Sequence, residues 1–169
     1  EGFSRRLDFS IRNRNQLEQS RALAILTPPP GPALLQEILK KVRPKHVSFF
    51  RLDSPDDSLD GFLSKLSGLV KFALSHYEGR AKIADLAAAL GHTETLIAMG
   101  LRWWQAHGEI RIENSAGSDC LIYRNTKPQN QDDNTLDRLT NQVQHDLAEE
   151  SAFRSFYLRA EPASLLRKQ

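Results

Sequence analysis

One cysteine, Cys120, stands alone in 169 residues, so the chain has no internal disulfide and no zinc site built from several of its own thiolates. No apolar run approaches the roughly 20 residues needed to cross a bilayer. The opening stretch EGFSRRLDF also lacks the apolar segment of a secretory signal. A reducing, cytoplasmic setting is the expectation. His46, His76, His92, His107 and His145 are scattered without metal-ligand spacing. Asp56, Asp57 and Asp60 gather beside prolines and serines, a pattern that favours a helix start, where carboxylates suit the dipole, over a metal site. Cys120 sits mid-strand with Arg124 as its only basic neighbour, so a structural thiol is expected, not a nucleophile. No catalytic residue, metal ligand or small-molecule cofactor is expected in this chain.

What is present is an ordinary globular composition, 40% hydrophobic and 26% charged, at a length that allows one generous domain or two small ones. Net charge is only +2, but residues 1–51 carry ten Lys/Arg against four Asp/Glu. Arg5, Arg6, Arg12, Arg14 and Arg21, with Lys40, Lys41, Arg43 and Lys45, form a basic front. Neutralising phosphates with such side chains releases counterions, a gain that falls with salt. Two readings stay open: a nucleic-acid contact, or a solvated surface.

Along the chain, ALAILT at 22–27 reads as a buried strand ending at Pro28, Pro29, Pro30, Gly31 and Pro32. With one glycine and three consecutive prolines, that turn is no phosphate-cradling fingerprint. Leu34, Leu35, Ile38, Leu39 and Val42 follow helical spacing up to Pro44, and HVSFFRL at 46–52 has strand composition. Strand, helix and strand make a parallel βαβ unit over 1–56, to which LDFSIR at 7–12 adds a candidate neighbouring strand. A helix from 59 to 76 opens the next module, 57–125, and Phe62 to Leu74 trace its apolar positions. A helix at 83–90 follows, with Gly91 as a left-handed cap, then Thr93 as N-cap of a helix over 94–107. Gly108 closes that helix, and EIRIE and CLIYR form a hairpin around NSAGSD. This order predicts a winged helix. The fold class expected is therefore α/β plus winged helix. Residues 126–169 are a polar linker and C-terminal docking helices, with Leu136, Leu139, Val143 and Leu147 on one face. That stripe docks either on this chain or on a partner.

A DNA-reading winged helix turns the exposed face of its second helix into the major groove. Here that face holds Thr95, Ala98, Arg102 and Gln105, with a single cation, and residues 77–124 carry five Lys/Arg against six Asp/Glu. Sequence-specific readout is not expected. Trp103 and Trp104 are core residues or stacking platforms for unpaired bases, and Arg102, Trp103, Gln105 and Arg111 are the module's candidate contacts.

The run RALAILTPPPGPALLQEILKKVRPKHVSFF, the helical stretch KFALSHYEGRAKIADLAAALGHTETLIAMGLRWWQAHGEIRI and the closing EESAFRSFYLRAEPASLLRK resemble the C-terminal region of the RecJ family of bacterial single-strand DNA exonucleases. These are matches of apolar pattern covering most of residues 5–168. The resemblance implies a parent enzyme of the DHH phosphoesterase superfamily that degrades single-stranded DNA from the 5′ end with manganese or magnesium. No Asp-His-His triplet and no glycine-rich substrate motif occur here, so no catalytic residue carries over. The chain is expected to be an accessory part of such an enzyme, joined covalently to its catalytic domains, which contacts single-stranded DNA or docks a DNA-repair protein. A start at Glu1 fits an excised fragment. The alternatives are a free-standing winged-helix regulator that binds DNA or bridges proteins, and a small α/β enzyme.

Overall fold

The computed structural model describes residues 12–50, 52, 57–114, 119–126 and 133–166. Of the expected strand at 7–12, residues 7–11 lie outside that set. After a 3-10 turn at Arg14–Gln16 come β1 (Ala22–Ile25), α1 (Pro32–Val42) and β2 (His46–Phe49). Proline opens α1 at little cost, because the first N–H of a helix has no intrahelical partner. Arg43 ends it as a left-handed cap at φ 51°, its N–H donating to the Leu39 carbonyl, and Pro44 cannot continue the helix. β1 and β2 pair in parallel, Ala22 opposite His46 and Ile25 opposite Phe49. Both strands are shorter than their apolar runs. Among the described residues the sheet has two strands, and regular pairing stops soon after Phe50 donates to the Ile25 carbonyl at 2.8 Å.

The second unit begins at α2 (Leu59–His76), where the Ser58 hydroxyl accepts the N–H of Gly61 as an N-cap. β3 (Arg80–Lys82), α3 (Ile83–Leu90), α4 (Glu94–Ala106), β4 (Ile110–Asn114) and β5 (Asp119–Arg124) follow. Gly91 takes φ 74° and Thr93 Oγ1 accepts the N–H of Leu96, so the expected cap and N-cap define the turn between α3 and α4. β3 carries no sequence signal, because three residues with one half-buried alanine are too few for a period. It pairs antiparallel with β5, which also pairs with β4, giving the sheet order β3-β5-β4.

Phe62, Leu66, Leu96, Ile97, Leu101 and Ile122 are sealed in the core of this unit. Each such side chain stabilises by about 1.5–3 kcal/mol. α2 and α4 approach closely at Gly100, where an added Cβ would lie 2.6 Å from Leu66 and 2.8 Å from Phe62.

α5 (Asp133–Arg159) is 27 residues long and serves two cores. Val143 and Leu147 enter the core beside α4, while Tyr157 joins Ile25, Leu35, Ala160 and Leu165 in the βαβ core. α6 (Pro162–Leu165) closes the latter. The architecture is mixed α/β. No helix among the described residues is long and apolar enough to cross a membrane.

Candidate functional site

Three of the nine cations of the basic front, Arg12, Arg14 and Lys41, are bonded within the chain, while Arg21, Arg43 and Lys45 are exposed. Arg5 and Arg6 lie outside the described residues. Arg12 pairs with Glu18 at 2.9 Å on the surface. Arg14 is half-buried, and its Nη1 donates to the His92 carbonyl at 2.7 Å. Burial pulls its guanidinium below the ordinary arginine range, against the opposing charges of Glu94, Glu150 and Glu37. Lys41 Nζ donates to the carbonyls of Asn15, at 3.2 Å, and Arg14. Lys40 is exposed. The front thus ties the 3-10 turn to α1 and to the α3–α4 turn.

The outward strip of α4 is open: Thr95 and Arg102 are exposed, Ala98 and Gln105 half-buried. Trp103 is held differently. Its indole N–H donates to Thr140 Oγ1 at 2.8 Å, and the Thr140 hydroxyl in turn donates to the Leu136 carbonyl. Trp104 and His107 complete a ring cluster beside it. Both tryptophans pack against the core, and the Trp104 Nε1–H is buried without an acceptor among the described residues. On the wing, Arg111 pairs with Glu113 at 2.9 Å and covers the Tyr123 ring at 5.0 Å.

The most enclosed chemistry is a charged cluster at the α3–α4 turn. His92 Nδ1 lies 2.6 Å from Glu150 Oε2, while Glu150 Oε1 accepts the Thr93 backbone N–H and hydroxyl at 3.0 and 2.8 Å. Arg154, one turn along α5, donates to Glu150 at 3.3 Å, to the Gly91 carbonyl at 2.5 Å and to Asp57 ahead of α2. Burial alone would push the Glu150 carboxyl up. The hydrogen bonds from His92 and Thr93 outweigh it and hold the group below the ordinary glutamate range. Because Glu150, Arg154 and His92 are almost fully buried, the cluster fastens α5 to the turn and presents no reactive atom. Its sequence signal is that Val143, Leu147, Glu150, Arg154 and Tyr157 follow one helical stripe, so two charges fall on core positions.

Two open clefts flank Thr93. One, of about 310 Å³, is lined by Arg14, Glu37, Lys41 and Glu94 around Leu34 and Ile38. The other, of about 320 Å³, lies between the proline turn and α5 and has Asp146 and Glu149 at its edge. His145, Asp146 and Glu149 have ligand atoms within 4.8 Å of one another and are the described residues whose geometry would suit a cation. Each of them has a neighbour already, His145 with Glu149 at 3.3 Å and Asp146 with Gln142 at 3.0 Å. Cys120 is buried, and burial together with the Asp119 charge pushes its thiol up, away from nucleophilic use.

A different group stands out on the surface. Phe72, within the expected apolar trace of α2, is half-exposed, and it contacts the exposed His76 and Tyr77. Comparison of the chain with protein-family models, with characterised proteins and with solved structures gives no match.

Proposed function

We propose that this chain is a non-catalytic accessory part of a single-strand-specific 5′–3′ exonuclease of the RecJ type, acting in DNA repair and recombination. It contributes surfaces for DNA or for a partner protein. Within it, α2, β3, α3, α4 and the β4–β5 hairpin make a winged helix, with β3 paired to the second strand of the wing. The observation that carries the reading is the use made of ionisable groups. The buried charged groups His92, Glu150 and Arg154 close a structural cluster, and no nucleophile, base and electrostatic stabiliser meet at either cleft among the described residues. Manganese or magnesium would belong to catalytic domains outside this chain.

The test replaces the C-terminal part of a RecJ-type exonuclease with this chain. The chimera should keep degrading 5′-labelled single strands where simple deletion of that part slows them, and the chain alone with manganese should release no nucleotide. A chimera no better than the deletion, or turnover by the chain alone, defeats the reading.

A further inference from the structure

We infer that the aromatic step formed by Phe72, His76 and Tyr77, flanked by Lys71 and Arg80, is a stacking surface for single-stranded nucleic acid. The inference rests on the proposed function and gives the DNA contact a place other than the basic front.

Phe72 and His76 stack with ring centres 4.4 Å apart at 28°, and Tyr77 meets Phe72 edge-on at 5.7 Å. Phe72 and Tyr77 are nevertheless 50% and 57% exposed, so the three rings organise each other while leaving faces open to water. Apolar neighbours on the helix do not widen the patch into an aliphatic groove. Leu69 and Leu74 pack against the core. One turn before Phe72 on the same face, Gly68 is exposed and an added Cβ there would meet nothing within 4 Å. A mid-helix glycine costs about 1 kcal/mol relative to alanine; unlike Gly100, this one has no packing role. It leaves a flat approach beside the Phe72 ring.

The turn that presents Tyr77 is tightly specified. Glu78 and Gly79 both hold positive φ, 52° and 81°, and a Cβ at Gly79 would fall on the Ile122 carbonyl. Gly79 is bound into the sheet, accepting from Ile122 N–H at 2.9 Å, and Arg80 N–H returns to the Tyr77 carbonyl at 2.9 Å. The platform is therefore mounted on the core rather than on a loose loop.

Charge selects the occupant. From residue 65 to residue 82 the exposed charged groups besides the step's own His76 and Tyr77 are Lys65, Lys71, Arg80 and Lys82 against Glu78, four cations to one anion, although residues 77–124 as a whole are net negative. Exposed planar rings beside an excess of cations match bases, which all offer a π-face, and the phosphates that join them.

Fluorescence anisotropy with a labelled oligothymidylate of about 15 nucleotides tests this, at about 50 and about 200 mM salt. The chain should bind in the micromolar range and bind an abasic strand of the same length about tenfold more weakly. Phe72→Ala and Tyr77→Ala should each weaken oligothymidylate binding about tenfold, which is about 1.4 kcal/mol, without affecting the abasic strand. Phe72→Trp should restore it. Lys71→Ala and Arg80→Ala should each lower the salt slope by about one. Circular dichroism should show all variants folded, since these side chains are exposed. Binding by the chain that Phe72→Ala and Tyr77→Ala leave unchanged overturns the inference while the accessory-domain reading stands. Absence of binding at low salt also overturns it, and the chimera experiment then decides that reading separately.

Discussion

Glu150 shows how a single residue joins distant segments. Its two oxygens collect His92, the Thr93 backbone and hydroxyl, and Arg154, so one carboxylate orients both ends of the α3–α4 turn and the facing part of α5. Because its pKa is lower in the folded chain than in the unfolded one, its stabilisation is complete above the ordinary glutamate range and is lost as pH falls toward the depressed folded value. Glu150→Gln should destabilise the chain by about 3 kcal/mol at neutral pH, because it removes the buried carboxylate that His92, Thr93 and Arg154 share and leaves Arg154 with Asp57 as its charged partner. It should also flatten the acid side of the stability–pH curve, as urea unfolding between neutral and acidic pH would reveal. A variant that keeps the acid slope of the parent chain would show that other carboxyls set it.

At the scale of elements, α2 and α4 meet closely at Gly100. Gly100→Ala forces a methyl group against Leu66 and Phe62, both sealed in the core, so the helices must separate. A loss of about 1–3 kcal/mol in denaturant unfolding is expected; an unchanged midpoint would mean that the helices shift freely. The α4–α5 seam depends on a polar contact as well as apolar burial. Trp103→Phe keeps most of the ring but removes the bond to Thr140, and should cost about 1 kcal/mol. The variant should leave oligothymidylate affinity where it was, because this indole is committed to α5. A large loss of affinity would instead make Trp103 a base contact.

For the whole molecule, α5 is the element on which both cores depend. It supplies Val143 and Leu147 to one core and Tyr157 to the other, and it holds both long-range charges of the α3–α4 cluster. Removing residues 133–169 should cost on the order of 5 kcal/mol, comparable with the stability of a small domain. The shortened chain should lose its cooperative thermal transition by circular dichroism. An unchanged transition would show that the βαβ and helical units stand without α5.

Local chemistry was legible in the residues themselves. Gly91 and Thr93 mark a turn that any chain of that composition would make, Pro32 and Pro44 bracket α1, and apolar spacing locates α2, α3 and α4 because burial of one face follows the helical period. The partners of the charged and aromatic side chains belong to another level. Arg14 and Lys41 read as free cations until folding sets them against carbonyls, and Phe72 reads as core until α2 turns it outward. Contacts across 58 residues, as between His92 and Glu150, depend on how helices are placed in space, and that placement is settled by packing of the whole chain and has no local signature.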